Sequence, residues 1–131
     1  MYIANLLSQN PGVPHGSSFY LRGVAQSRFD AENHKEIFDT YVKLTEGSDL
    51  VVGVIWELWS LTKVDSIAPD ATAFPGRGQK SNILNVVRWE DNAPERLAEA
   101  RKIALVMADT IAKGQPDARE ANDKAYANYG S

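Results

Sequence analysis

The stretch IAPDATAFPGRGQKSNILNVVRW, Ile67 to Trp89, changes character halfway along. Its first half is a loop punctuated by Pro69, Pro75, Gly76 and Gly78. Its second half, Asn82 to Trp89, is rich in β-formers and reads as a strand. Alternation puts Ile83, Val87 and Trp89 on one face and Asn82, Leu84, Val86 and Arg88 on the other.

Upstream, Val51 to Trp59 is nearly all apolar, with a single charge at Glu57. Val52, Val54, Trp56 and Leu58 share one face; Val51, Ile55, Glu57 and Trp59 share the other. Between this strand and an earlier one, Ser18 to Ser27, lies a helix. Asp30 is its expected N-cap, Glu32 suits the positive end of its dipole, and Gly47 closes it. Ile37, Phe38, Tyr41, Val42 and Leu44 make its apolar stripe. Downstream, a second helix opens near Asn92 with Pro94 in its first turn, where a missing N–H costs nothing. Its stripe is Leu97, Ala100, Ala104, Met107 and Ile111, and Gly114 ends it. Pro116 to Asp123 reads as a polar loop and Lys124 to Tyr129 as a fourth strand. Met1 to Ser17 is an irregular lead-in with a turn of helix at Ile3 to Ser8.

The order strand, helix, strand, strand, helix, strand predicts an α+β fold of the ferredoxin-like βαββαβ kind. Four antiparallel strands would carry both helices on one side. Leu21, Val54, Trp56, Ile83 and Val87 are expected beneath the helices. At 131 residues the chain is read as one domain with a real core.

Composition excludes several classes. A net charge of −3 without a basic stripe argues against nucleic acid. No apolar run approaches the ~20 residues a membrane span needs, and no basic-then-apolar leader is visible; a cytoplasmic protein is expected. With no cysteine and only His15 and His34, neither a disulfide, a thiolate nor a histidine-rich metal site can form.

The same central stretch carries a family resemblance. Ile55-Trp56-Glu57-Leu58, Asp70 to Phe74, Arg77, and Arg88-Trp89-Glu90-Asp91 follow in order, and Tyr126-Ala127-Asn128-Tyr129 follows near the end. This series resembles the substrate domain of the berberine-bridge-type flavin oxidoreductases, above all the fungal branch. In that family the sheet roofs the flavin ring and contacts substrate. Positions matching Asn82 and Leu84 supply active-site side chains, and the Tyr-x-Asn-Tyr segment runs close to the flavin. The family's flavin-binding domain has no counterpart in this sequence, and Gly76-x-Gly78 is too weak a signal to replace its phosphate loop. The expectation is therefore that the chain holds no cofactor by itself.

One sheet face is expected to stay free of helices and to carry Tyr20, Arg22, Ile55, Glu57, Trp59, Asn82, Leu84, Arg88, Tyr126 and Asn128. Such a surface needs an occupant: a hydrophobic small molecule, a partner, or a second copy closing a dimeric α/β barrel-like chamber. Glu57 and Arg22 are the candidate catalytic residues. A carboxylate in an apolar strand is costly unless paired or functional, so Glu57 is either an acid–base group or the partner of Arg22 or Arg88. Tyr20, Trp59, Asn82, Leu84, Arg88, Tyr126 and Asn128 are the candidate substrate contacts, by stacking, hydrogen bonding or the forked donors of arginine. Arg77 is expected to pin its own loop, Trp56 and Trp89 to sit in the core, and His34 to lie at the surface.

Two functions stay open. One is a cofactor-independent cyclase, isomerase or pericyclase of secondary metabolism, acting through a closed cavity. The other is an accessory part of a flavin oxidoreductase that needs a separate FAD-binding partner.

Overall fold

The computed structural model describes residues 16–58, 60–68, 70–74, 77–78, 81–91 and 93–117. Along them run β1 (Ser18–Gln26), α1 (Ala31–Thr45), β2 (Val51–Glu57), the single turn α2 (Thr62–Asp65), β3 (Ser81–Trp89) and α3 (Pro94–Lys113). The fold is α+β, with a three-stranded antiparallel sheet ordered β1-β3-β2. The stretch Ile67 to Trp89 thus supplies the central strand. Seven of its nine residues are buried, and both its edges are paired. The expected fourth strand, the lead-in before Gly16 and the side chain of Trp59 lie outside the described residues. The turn α2 was not foreseen. Its Asp65 Oδ1 accepts a hydrogen bond from the Gly78 N–H at 2.9 Å, tying the two ends of the Pro/Gly loop together.

Both helices lie on the same side of the sheet. Val24, Val52, Ile83, Val87 and Trp89 form one cluster with Ile37 of α1 and with Ala100, Ile103, Ala104, Met107, Ala108 and Ile111 of α3. Fully burying a valine, isoleucine or methionine side chain contributes about 1.5–3 kcal/mol, so this single layer holds the fold. The strand faces read for β2 and β3 are those observed. The face expected for β1 is not. The register Tyr20↔Val87, Arg22↔Asn85, Val24↔Ile83 and Gln26↔Ser81 puts Tyr20, Arg22, Val24 and Gln26 beneath the helices. Leu21, expected there, lies on the far side with Phe19, Gly23 and Ala25.

The physical reason is partner availability rather than apolarity. Gln26, wholly buried, accepts a hydrogen bond from the Ser81 hydroxyl at 2.7 Å. The Asn85 amide donates to the Arg22 carbonyl at 3.1 Å, and the Arg101 guanidinium lies over the Tyr20 ring at 5.6 Å. Polar groups with such partners can be buried without the full desolvation penalty.

Helix α1 starts as expected: the Asp30 carboxylate accepts from the Asn33 N–H at 3.0 Å. Gly47 follows its C-terminus at φ 73°, the left-handed region glycine suits. Its stripe is narrower than predicted, since Phe38 and Val42 are 64% and 47% exposed while Ile37 is buried. In α3, Leu97 is likewise exposed, and the burial moves to Ile103 and Ala108.

Gly114 ends α3 for a different reason from Gly47. Its φ of −77° suits any residue, but a Cβ there would lie 2.2 Å from Asn33 Oδ1 and 2.6 Å from Asn33 Cβ. The helices close tightly here because the Asn33 amide donates to the Thr110 carbonyl at 2.7 Å. Gly114→Ala is expected to cost about 1–3 kcal/mol through overpacking, read as a lower urea midpoint. The double variant with Asn33→Gly should recover part of that loss.

Candidate functional site

The sheet face turned away from the helices presents four cross-strand rows. They are Phe19–Arg88–Val51, Leu21–Val86–Gly53, Gly23–Leu84–Ile55 and Ala25–Asn82–Glu57. Four of the expected site residues therefore share it, Glu57, Asn82, Leu84 and Arg88, with Ile55 beside them. Glu57 and Asn82 form a direct pair, with the Asn82 amide donating to Glu57 Oε2 at 2.8 Å. Asn82 and Leu84 are 7% and 8% exposed, whereas Ile55 is 49% exposed. A half-buried carboxylate held by an amide thus lies one row from a small apolar platform. Chemically, such a group can accept or return a proton beside a planar or apolar ligand.

The structure separates other expected members. Tyr20 and Arg22 sit on the helix side, so Arg22 and Glu57 occupy opposite faces of one sheet and cannot act on one substrate atom. The arginine half of the expected catalytic pair is corrected accordingly. The alternative ion pair between Glu57 and Arg88 also fails. Six residues along β3 separate Asn82, the cross-strand neighbour of Glu57, from Arg88, about 20 Å at strand spacing. Trp59, Tyr126, Asn128 and His15 lie outside the described residues. Arg77 does pin its own loop, donating to the Phe74 carbonyl at 2.7 Å and the Thr72 hydroxyl at 2.6 Å. Trp56 and Trp89 pack in the core as expected.

His34 was misplaced at the surface. Its ring stacks on Trp56 at 5.7 Å and on Phe29 at 6.2 Å. Its Nδ1 lies within hydrogen-bond distance of the Asp30 carbonyl, at 2.6 Å. The signal for this was its place four residues after the N-cap, on the turn that meets the sheet.

A cleft of about 240 Å³ opens at the other end of β3, lined by Asp49, Val51, Arg88, Trp89, Glu90, Asp91 and Arg96. It is smaller than the ~300–1,000 Å³ of drug-sized ligand sites, and Arg96, Asp49 and Asp91 in its wall are already paired with one another. Arg96 grips the Asp49 carboxylate with both terminal nitrogens and approaches Asp91 at 3.7 Å and Glu99 at 3.5 Å. This latch ties the start of α3 to the loop before β2. The Arg96 hydrogen bond pulls the Asp49 carboxyl below its ordinary value of 3.8, and the same bond raises Arg96.

A carboxyl depressed on folding stabilises the fold above its unfolded value, and that contribution fades as pH falls through the folded one. The latch should accordingly hold at neutral pH and loosen only below about pH 4. Asp49→Asn is expected to lower stability slightly at pH 6, with the gap to the parent narrowing as pH falls below about 4. A melting series in pH checks it, and the effect should be small because the pair is exposed. Among the described residues no group of three or more His, Cys, Asp or Glu is placed to hold a metal ion. No described helix is long and apolar enough to cross a membrane.

Comparison with known proteins places this geometry in context. The chain is similar to the FAD-linked oxidoreductase OXR1 of Pyricularia oryzae, with 25% identity over 117 residues. The match covers 87% of this chain and 23% of the relative. The chain thus corresponds to under a quarter of the protein it matches. No family model matches the sequence, and no solved structure matches it.

Proposed function

We propose that this chain is the substrate-side module of a berberine-bridge-type flavin oxidoreductase, working with a flavin-binding unit rather than alone. The observation that carries this reading is the extent of the match: nearly the whole chain aligns with a minor part of an FAD-linked enzyme. The sheet supports it. Its order β1-β3-β2 is that of a ferredoxin-like fold whose fourth strand would add beside β1. Its helix-free face collects Ile55, Glu57, Asn82 and Leu84, which would form one wall of a site for a hydrophobic small molecule. In this reading Glu57 exchanges the substrate proton and Asn82 holds its carboxylate in place.

The described residues do not fit FAD itself. A pyrophosphate needs backbone N–H groups at a helix N-terminus or in a glycine-rich loop. Here the first turns of both long helices carry carboxylates instead. Asp30 and Glu32 occupy the start of α1, where the Asp30 side chain already caps the Asn33 N–H. Glu95 stands in the first turn of α3. Their charge repels phosphate, so the nucleotide belongs on another polypeptide unit.

The cofactor-free cyclase loses its arginine–glutamate pair with the correction to Arg22. The test exchanges this chain for the matched stretch of the Pyricularia relative. The exchanged protein should stay yellow and be reduced by whichever compound reduces the unaltered relative. A folded, yellow protein that this compound never reduces would sink the proposal.

A further inference from the structure

We infer that β2 is a self-pairing edge, and that two copies of this chain join through antiparallel β2–β2 contact into one continuous six-stranded sheet. The order β1-β3-β2 leaves β2 at the border, with only β3 paired to it among the described residues. Natural edges are blunted by lysine, proline, bulges or short length. This one runs V-V-G-V-I-W-E over seven residues, without proline, basic residue or any charge before its last position. Val51 and Ile55 are 52% and 49% exposed along it. It is a seven-residue template of backbone donors and acceptors, uncharged up to its last position, the kind that another strand completes.

The sequence also selects the occupant and the register. A seven-residue strand paired with its own copy overlaps fully only when centred on its middle residue, Val54. Val52 then faces the partner's Trp56, Gly53 faces the partner's Ile55, and Val51 faces the partner's Glu57. Gly53 has nothing within 4 Å of the position a Cβ would take, so the isoleucine of the second copy fills the space beside it.

Charge complements this register. Arg88 sits beside Val51 on the same face in the strand register. It makes no ion pair with any described residue. The partner's Glu57 would lie one strand beyond Val51, about 10 Å from Arg88 between backbones, a span that an arginine and a glutamate side chain cover together. The two-fold axis makes this contact twice. No like charges oppose each other across the seam. The arrangement joins edges and leaves the helix-free face uncovered by the second copy, unlike the face-to-face chamber expected from sequence. It does not depend on the proposed flavin partnership.

Sedimentation of the full chain tests the state, and single cysteines test the register, since the chain has none of its own. The wild type should sediment as a dimer, and Ile55→Lys, an exposed gatekeeper, as a folded monomer. Arg88→Glu should weaken association by more than about tenfold, and adding Glu57→Arg should restore it. On mild oxidation Val54→Cys should cross-link to its own copy, whereas Val51→Cys should not, its copy lying about 20 Å away. A monomeric wild type at the highest attainable concentration would overturn the inference. So would a dimer that Ile55→Lys leaves intact, or one in which Val51→Cys cross-links as readily as Val54→Cys.

Discussion

Ile83→Ala is expected to remove about 2–5 kcal/mol of folding stability. Ile83 is wholly buried at the middle of the sheet. It pairs with Val24 on one side and Trp56 on the other, beneath the two helices. The surrounding strand is fixed along both edges, so the cavity left by truncation has little freedom to collapse. For a domain whose total stability is about 5–15 kcal/mol, that is a large share. Ile55→Ala, the same chemistry one residue away on β2 but half-exposed, should cost well under half as much. Urea unfolding with an unchanged m-value separates the two. Equal losses would mean that the helix-side face has been assigned wrongly.

The second large effect concerns Glu57. Glutamine at this position can still accept the Asn82 hydrogen bond through its amide oxygen, so Glu57→Gln keeps that anchor. It cannot take up a proton. If Glu57 is the proton acceptor of the site, turnover by the exchanged fungal enzyme should fall by about 10²-fold or more, with its flavin content unaltered. Glu57→Leu, which strands the Asn82 amide, should instead cost about 1–3 kcal/mol of stability. The contrast between the two substitutions distinguishes a chemical role from a structural one. Full turnover in Glu57→Gln removes Glu57 from the mechanism and leaves it as the anchor of Asn82.

The central strand and the two helices were legible because local signals agreed. The run Asn82 to Trp89 is rich in β-formers, Asp30 and Gly47 mark the ends of one helix, and Pro94 marks the start of the other. The orientation of β1 was not legible. Period-two alternation yields two faces but not which one is covered, and Phe19, Leu21 and Ala25 look more apolar than Tyr20, Arg22 and Gln26. The buried set is chosen by partners that only the folded chain assembles: Ser81 for Gln26, Asn85 for the Arg22 carbonyl, Arg101 for Tyr20. The same blindness joined Arg22 to Glu57, since any face assignment carries every other residue with it.

Half of the site could still be read in advance. Glu57 is the lone charge of an apolar strand, and Asn82 lies on the polar side of its neighbour, so their pairing follows once register is known. His34 escaped notice because its ring is sheltered by Phe29 and by Trp56, and Trp56 lies far away in sequence. Gly114 marks a helix end in the sequence, but its reason is steric and belongs to Asn33 on the other helix.

The most direct measurement is the visible spectrum of the fungal relative carrying this chain in place of its matched stretch, before and after adding the compound that reduces the unaltered enzyme. The account predicts a yellow protein that bleaches on addition, while the chain purified alone is colourless. A stoichiometric flavin on the chain by itself, or an exchanged protein that folds, holds its flavin and never bleaches, would contradict it.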